Sequence, residues 1–211
     1  MNQSVYIVAG ITLVIAGTPV VQAQAKSAIA TVQSQSSSTV PSNIDSLSRQ
    51  IGAVEVERSI LLSKFSSGTP VIQKLDQRYA GLLIQLKQFQ PSRYLMMASS
   101  AAQAALSEKI GTLEVERAIE LTRFRADTPV IKAFDQQLLS LVTRLKQLQP
   151  KQYRSIAASA TQRALQAKIA DLRTVYRQEA QRLIPSAPSQ RSLQAQISTL
   201  NQRLAEIRKS V

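Results

Sequence analysis

A pattern of apolar residues that recurs three times at a spacing of 59 positions constrains this chain most strongly. Residues 55–77 read EVERSILLSKFSSGTPVIQKLDQ, and residues 114–136 read EVERAIELTRFRADTPVIKAFDQ. The third copy keeps the apolar positions without the charges, as two equivalent sets illustrate: Leu47, Leu106 and Leu165; Leu86, Leu145 and Leu204. The sequence therefore predicts one folding unit in three tandem 59-residue copies.

The apolar positions within each copy follow a helical period. In the second half of the first copy they advance by three or four residues at a time: Ile72, Leu75, Tyr79, Leu82, Leu86 and Phe89. Steps of this size place all of these side chains on one face of an α-helix. No segment alternates with the two-residue period of a strand, so the predicted fold class is all-α.

Regular breaks divide each copy into two helices. Thr69-Pro70 and Thr128-Pro129 place a capping hydroxyl before a proline at the first helical position, where its missing N–H removes no hydrogen bond. Each copy thus reads as a helix, a tight loop and a returning helix, and Pro91 and Pro150 separate the copies. The predicted repeats span three ranges: 43–90, 91–149 and 150–211.

Helix lengths suggest how the hairpins are arranged. The helix predicted over 91–124 is about 50 Å long, whereas the return helix over 129–148 is about 30 Å. We expect each long helix to rise beside the preceding return helix and overshoot it, so that hairpins are staggered by about 20 Å. The result would be an elongated, spectrin-like bundle or coiled coil with three helices at each level.

The last copy lacks a following long helix. Its helix pair, 165–183 with 190–208, is therefore expected to leave an apolar groove for a protein partner or a second copy of this chain. The alternative is that this end folds back or frays.

The first 25 residues resemble a signal peptide. Residues 5–21 form an uncharged apolar run, and Ala23-Gln24-Ala25 supplies the small residues that signal peptidase requires. An uncleaved N-terminal membrane anchor is the alternative, although about 17 apolar residues are at the short limit for a bilayer span. Residues 26–42 read as a Ser/Gln-rich linker, with a helix start near Asn43. The expected location is the periplasm or cell envelope, and export argues against a nucleic-acid partner.

Positive charge is concentrated in the second part of the chain. From Thr128 onward there are 14 Lys or Arg and 4 Asp or Glu, which gives +10 (14 − 4) of the total +13. This charge predicts a surface for an anionic polymer or membrane, formed by eight residues: Arg144, Lys146, Lys151, Arg154, Arg163, Lys168, Arg173 and Arg177. A merely solvated cationic helix surface explains the same charges equally well.

The composition offers little for catalysis. His, Cys and Trp are absent, and no phosphate loop or metal-ligand spacing occurs. We expect no enzyme, no catalytic residue, no cofactor and no metal; an enzyme would depend on Asp, Glu, Lys, Tyr or Ser. Asp76 and Asp135 recur at equivalent positions, where a cap or ion pair is the ordinary explanation. The i,i+3 pairs Glu55–Arg58 and Glu114–Arg117 are expected to neutralise one another.

A family resemblance rests on the hairpin pattern. Phe65 and Phe124 are each followed, after three residues, by Thr-Pro-Val-Ile and then by paired leucines. This pattern resembles the helical hairpins in the periplasmic parts of polysaccharide chain-length determinants and exopolysaccharide co-polymerases. The resemblance implies coiled-coil arms and an envelope setting, and it carries over no functional residue. The sequence departs from that family because it shows no second apolar span near its C-terminal end and no ATP-binding kinase motif.

Two functions follow as hypotheses. The first is an exported, non-enzymatic spacer, adaptor or assembly partner in the cell envelope. The second is a cationic protein that binds anionic envelope polysaccharide or a membrane surface.

Overall fold

The computed structural model describes residues 39–181 and 187–210, and this part of the chain consists of helices joined by short turns. The helices follow one another in this order: α1 (Thr39–Leu61), α2 (Pro70–Phe89), α3 (Tyr94–Glu120), α4 (Pro129–Leu148), α5 (Tyr153–Ala180) and α6 (Pro188–Ser210). The predicted all-α class is confirmed. The predicted signal peptide and the linker up to residue 38 lie outside the described residues.

Proline and threonine set the starts of α2 and α4 as the sequence predicts. Thr69 and Thr128 occupy the N-cap positions, and a proline follows each. The predicted capping bond does not form, because each hydroxyl turns back and donates to a loop carbonyl. Thr69 Oγ1 lies 2.9 Å from the Ser66 oxygen, and Thr128 Oγ1 lies 2.8 Å from the Arg125 oxygen. The threonines therefore fasten the loop before each helix.

Two other helix ends differ from the prediction. Helix α3 covers Tyr94–Glu120 rather than 91–124, because a turn after Gln90 is closed by the amides of Arg93 and Tyr94, which donate to the Gln90 carbonyl. Helix α1 begins at Thr39 rather than near Asn43. Pro41 falls within its first turn, where a proline removes no hydrogen bond of the helix.

Helices α1, α3 and α5 lie side by side and parallel, with glycines at the points of closest approach. A Cβ added to Gly52 would lie 2.7 Å from the Cβ of Ala105 and 2.9 Å from the Ala101 oxygen. On Gly111 it would lie 2.8 Å from the Ala160 oxygen. Small side chains on both sides thus let the backbones of these helices approach closely.

This packing corrects the predicted arrangement. The long helix α3 packs chiefly on the long helices α1 and α5 and on α4, and it meets the preceding return helix α2 only to a small extent. Gly52 faces residues 101–105, about 51 positions ahead, so neighbouring hairpins are shifted by about eight residues, or about 12 Å, rather than 20 Å. Among the small residues of α3, Ala101 and Ala105 contact Gly52 of α1, while Ala98 packs in the leucine-rich cluster of α1 and α2.

The leucine-rich core lies between each long helix and the helix that returns along it. In the first hairpin, Ile51 and Val54 of α1 pack with Leu86 of α2, and Ala98 of α3 closes this cluster. In the last hairpin, Leu165 of α5 packs with Leu200 of α6. Every hairpin therefore buries its apolar stripes internally, as amphipathic helices require.

The predicted open groove at the last hairpin is wrong. Val115 and Ala118 of α3 are buried in the same cluster as Leu165, Leu200 and Leu204. Because the shift between hairpins is smaller than expected, α3 extends far enough to contact α6. The edge left open is instead the outer side of α5, where Ala170, which lies 59 positions after Gly111, is exposed.

Candidate functional site, a basic and aromatic edge

Two charged pairs connect neighbouring hairpins. One joins the return helix α4 to the long helix α1, and the other joins the return helix α6 to the long helix α3. Arg144 of α4 donates from Nε to Oε1 of Glu55 on α1 at 2.6 Å, and Glu55 is 1 % exposed. Arg203 of α6 contacts Glu114 of α3 in the same way, with Nη2 at 3.1 Å from Oε2. Arg144, which was predicted to face an anionic partner, is therefore held by a buried carboxylate.

A second set of polar contacts closes each hairpin. Arg58 donates to Asp76 at 2.5 Å, and Arg117 donates to Asp135 at 2.6 Å. The ion pairs expected for the two aspartates are confirmed. The expected neutralisation of Arg58 by Glu55 is wrong, because Arg58 reaches α2 while Glu55 faces α4.

The third hairpin has a neutral contact at the equivalent positions. The amide Nε2 of Gln194 donates to the Tyr176 hydroxyl at 3.1 Å, across the same 18-residue separation that joins Arg58 to Asp76. Polar contact at this level is thus kept where the charges are missing.

The eight predicted cationic residues do not form one surface. Arg163 and Lys168 line grooves between α3 and α5, and Lys168 shares its groove with Glu116. Arg173 and Arg177 are exposed on the second half of α5, where the Arg177 Nε donates to the Arg173 carbonyl. Only Lys146, Lys151 and Arg154 gather, at the turn between α4 and α5.

That turn belongs to a larger edge of the molecule. Because α1, α3 and α5 are parallel, the beginnings of α3 and α5 and the ends of α2, α4 and α6 lie on the same side, in steps set by the shift between hairpins. We call this side the basic edge. Its cations and tyrosines are Lys87, Arg93, Tyr94, Lys146, Lys151, Tyr153, Arg154, Arg208 and Lys209.

The cations of the basic edge are available to a partner. Within the described residues, none of these seven Lys and Arg side chains lies within salt-bridge distance of a carboxylate. Arg123 and Arg125, in the turn at the opposite side, do have carboxylate neighbours, Glu120 and Asp127. Acidic residues near the basic edge are Asp45 and Glu206, and Glu206 pairs with Arg203.

Tyrosines organise these cations. The Lys87 Nζ lies 5.6 Å from the centre of the Tyr94 ring, and the Lys146 Nζ lies 5.7 Å from that of Tyr153. The Arg154 guanidinium also lies over Tyr153, at 5.7 Å, and donates to its hydroxyl at 3.1 Å. This hydrogen bond lowers the pKa of the Tyr153 hydroxyl. Both tyrosines thus hold positive charge against an aromatic face.

Apolar side chains accompany the charges at the first turn. Leu95 and Met96 are 61 % and 64 % exposed at the start of α3, and Phe89 at the end of α2 is 41 % exposed. Phe89 belongs to the apolar stripe predicted for α2, whereas no predicted pattern includes Leu95 or Met96. The available signal was the comparison between copies, since Leu95 and Met96 correspond to Arg154 and Ser155.

Grooves run along α3. One groove of about 860 Å³ lies between α3 and α5, and its lining includes Ser107, Glu108 and Arg163. Among the described residues, no group of acidic side chains is arranged to hold a metal ion. No helix in the described ranges is long and apolar enough to span a membrane.

Comparison with known proteins gives no relative. No family model matches the chain, and neither the curated proteins nor the solved structures contain a significant match. Function must therefore be argued from the contacts described above.

Proposed function

We propose that this protein is an exported, non-enzymatic scaffold of the cell envelope, built from three 59-residue helical hairpins, which acts as a spacer, adaptor or assembly partner. The observation that carries this proposal is the reuse of the same inter-hairpin contact. Glu55 with Arg144 and Glu114 with Arg203 are both separated by 89 residues and both join a return helix to the preceding long helix.

The position of closest approach supports the same unit. Gly52 and Gly111 are 59 positions apart, and each meets an alanine-rich segment of the next long helix. A chain whose polar side chains connect its own helices in this way gains rigidity in the array. Rigidity suits a protein that holds partners at a fixed separation.

The open side of α5 is the natural place for a protein partner or a second copy. Ala170 and Thr174 are exposed there, on the face that in α1 and α3 receives the next long helix. The predicted association through the C-terminal hairpin therefore moves from a groove between its helices to this outer side.

Export is tested by fractionating cells that express the full chain with a C-terminal tag. We expect recovery from the periplasm or membrane fraction, and N-terminal sequencing should show cleavage after Ala23 or Ala25. A retained apolar segment in the membrane fraction would indicate an anchor instead. Recovery from the cytoplasm with an intact N-terminus would contradict the proposal, and crosslinking in the same cells would identify an assembly partner.

A further inference from the structure

We propose that the basic edge docks on the surface of an anionic lipid bilayer, with Leu95 and Met96 entering the interfacial region. This inference rests on the proposed envelope function, because an envelope protein works next to a membrane. The proposed lipid-binding surface is therefore the basic edge and not the whole set of eight cationic residues predicted from the sequence.

Charge supplies the first argument. Within the described residues, the seven cations of the basic edge lie outside salt-bridge distance of any carboxylate, as Arg173 and Arg177 on α5 also do. The basic edge differs from α5 because it gathers its cations with two tyrosines at the ends of helices. A basic residue near an anionic membrane surface strengthens binding about fivefold. Several acting together would be sufficient for reversible binding.

Exposed apolar side chains favour a bilayer over a polysaccharide. Leu95 and Met96 are mostly exposed, and they stand beside Arg93 and Tyr94 at the start of α3. An anionic polysaccharide would engage the cations and leave these two side chains in water. A bilayer interface accepts both, since tyrosines and the apolar stems of basic residues settle at headgroup level.

The test uses the absence of tryptophan from the sequence. Leu95→Trp places a single tryptophan at the basic edge. Leu139→Trp places a single tryptophan on α4, where Leu139 is 69 % exposed. Both variants are made in the full chain, so the N-terminal segment contributes equally to each. They are titrated with vesicles of phosphatidylcholine, with and without phosphatidylglycerol, and with brominated lipid as quencher.

We expect the Leu95→Trp emission to shift to the blue and to be quenched on vesicles containing phosphatidylglycerol, while the Leu139→Trp emission stays unchanged. Lys146→Gln with Lys151→Gln should weaken vesicle binding by about tenfold or more, since each cation contributes a factor of about five. Arg173→Gln with Arg177→Gln removes the same charge about 30 Å along α5 and should have little effect.

Three results would overturn the proposal. The first is an unchanged Leu95→Trp emission on anionic vesicles. The second is an equal shift of both tryptophans, which would indicate non-specific adsorption. The third is binding to an anionic polysaccharide without lipid contact. None of these results bears on export. Conversely, a cytoplasmic location would contradict export and would not change the vesicle result, so the failures of the two proposals can be distinguished.

Discussion

The carboxylate of Glu55 on α1 accepts a 2.6 Å hydrogen bond from the Nε of Arg144 on α4, and it is 1 % exposed. Arg144 itself is partly open to water and also donates to Gln147. The pair is therefore asymmetric, because only the carboxylate depends on its partner for compensation of its charge. The Ser140 hydroxyl, one turn earlier on α4, donates to the Ser59 carbonyl and fixes the same contact.

Removing Arg144 should make the helical array easier to unfold. Arg144→Ala leaves a buried carboxylate without a partner, and we expect a loss of about 3 kcal/mol in the free energy of unfolding. Urea denaturation followed by circular dichroism measures it. Arg203→Ala should be milder, since the Glu114 side chain is 17 % exposed. Equal effects of the two variants would contradict the role assigned to burial.

Adding one methyl group should have opposite effects on stability at two helix glycines, Gly52 and Gly81. Gly52→Ala inserts a Cβ 2.7 Å from that of Ala105, and overpacking of this kind costs about 1–3 kcal/mol. Gly81→Ala is the matched control, because its Cβ would meet nothing within 4 Å. It should stabilise α2 by up to about 1 kcal/mol through helix propensity. Thermal unfolding of both variants reads the difference, and a stabilising Gly52→Ala would refute the close approach of α1 and α3.

The ion pairs that close the hairpins should contribute little. Asp76 and Asp135 are about half exposed, so Arg58→Ala and Arg117→Ala should each lower the free energy of unfolding by less than about 1 kcal/mol. The measurement is denaturant unfolding at low and at high salt, where screening should reduce the difference from the unsubstituted protein. A loss as large as that of Arg144→Ala would show that these pairs are more than surface contacts.

Two tyrosines should respond oppositely to alkaline pH. Burial, with a smaller contribution from Glu55, raises the pKa of Tyr79 above its ordinary value. Tyr79 therefore ionises first in the unfolded chain, and its stabilising effect is full below pH about 10 and is lost as the pH rises above that value. The hydrogen bond from Arg154 lowers the pKa of Tyr153, so its contribution is gained as the pH rises through the same region.

The corresponding measurement compares stability at neutral pH and above pH 10 in two variants. Tyr79→Phe should reduce the alkaline loss of stability, whereas Tyr153→Phe should increase it. Absorbance of tyrosinate, read without interference because the chain has no Trp, follows the ionisation directly. The same alkaline response in both variants would contradict the assigned causes.

The sequence alone determined the local features of this protein. Steps of three and four residues identified Ile72, Leu82 and Leu86 as one helix face, and these residues are buried in α2. Thr-Pro pairs located the starts of α2 and α4 to the residue. Such features depend on neighbours within one or two turns, so a linear pattern is sufficient to predict them.

Only the tertiary structure decided which faces meet. The sequence shows that Glu55 and Arg58 are one helical turn apart, but it contains no information on which helix covers them. The covering residue for Glu55 is 89 positions away. For that reason the predicted local pairing of Glu55 with Arg58 was wrong, and so was the predicted stack of long helices on return helices.

The basic edge depends on the fold in the same way. Lys87 and Lys146 are 59 positions apart in sequence, and they share one side of the molecule because α1, α3 and α5 run parallel. That direction is shown by two contacts: Leu47 of α1 lies in one cluster with Ala98 of α3, and Val56, further along α1, packs against the cluster of Leu106. Composition does not reveal this fit. Net charge could be counted from the sequence, but its position required the packing of whole helices.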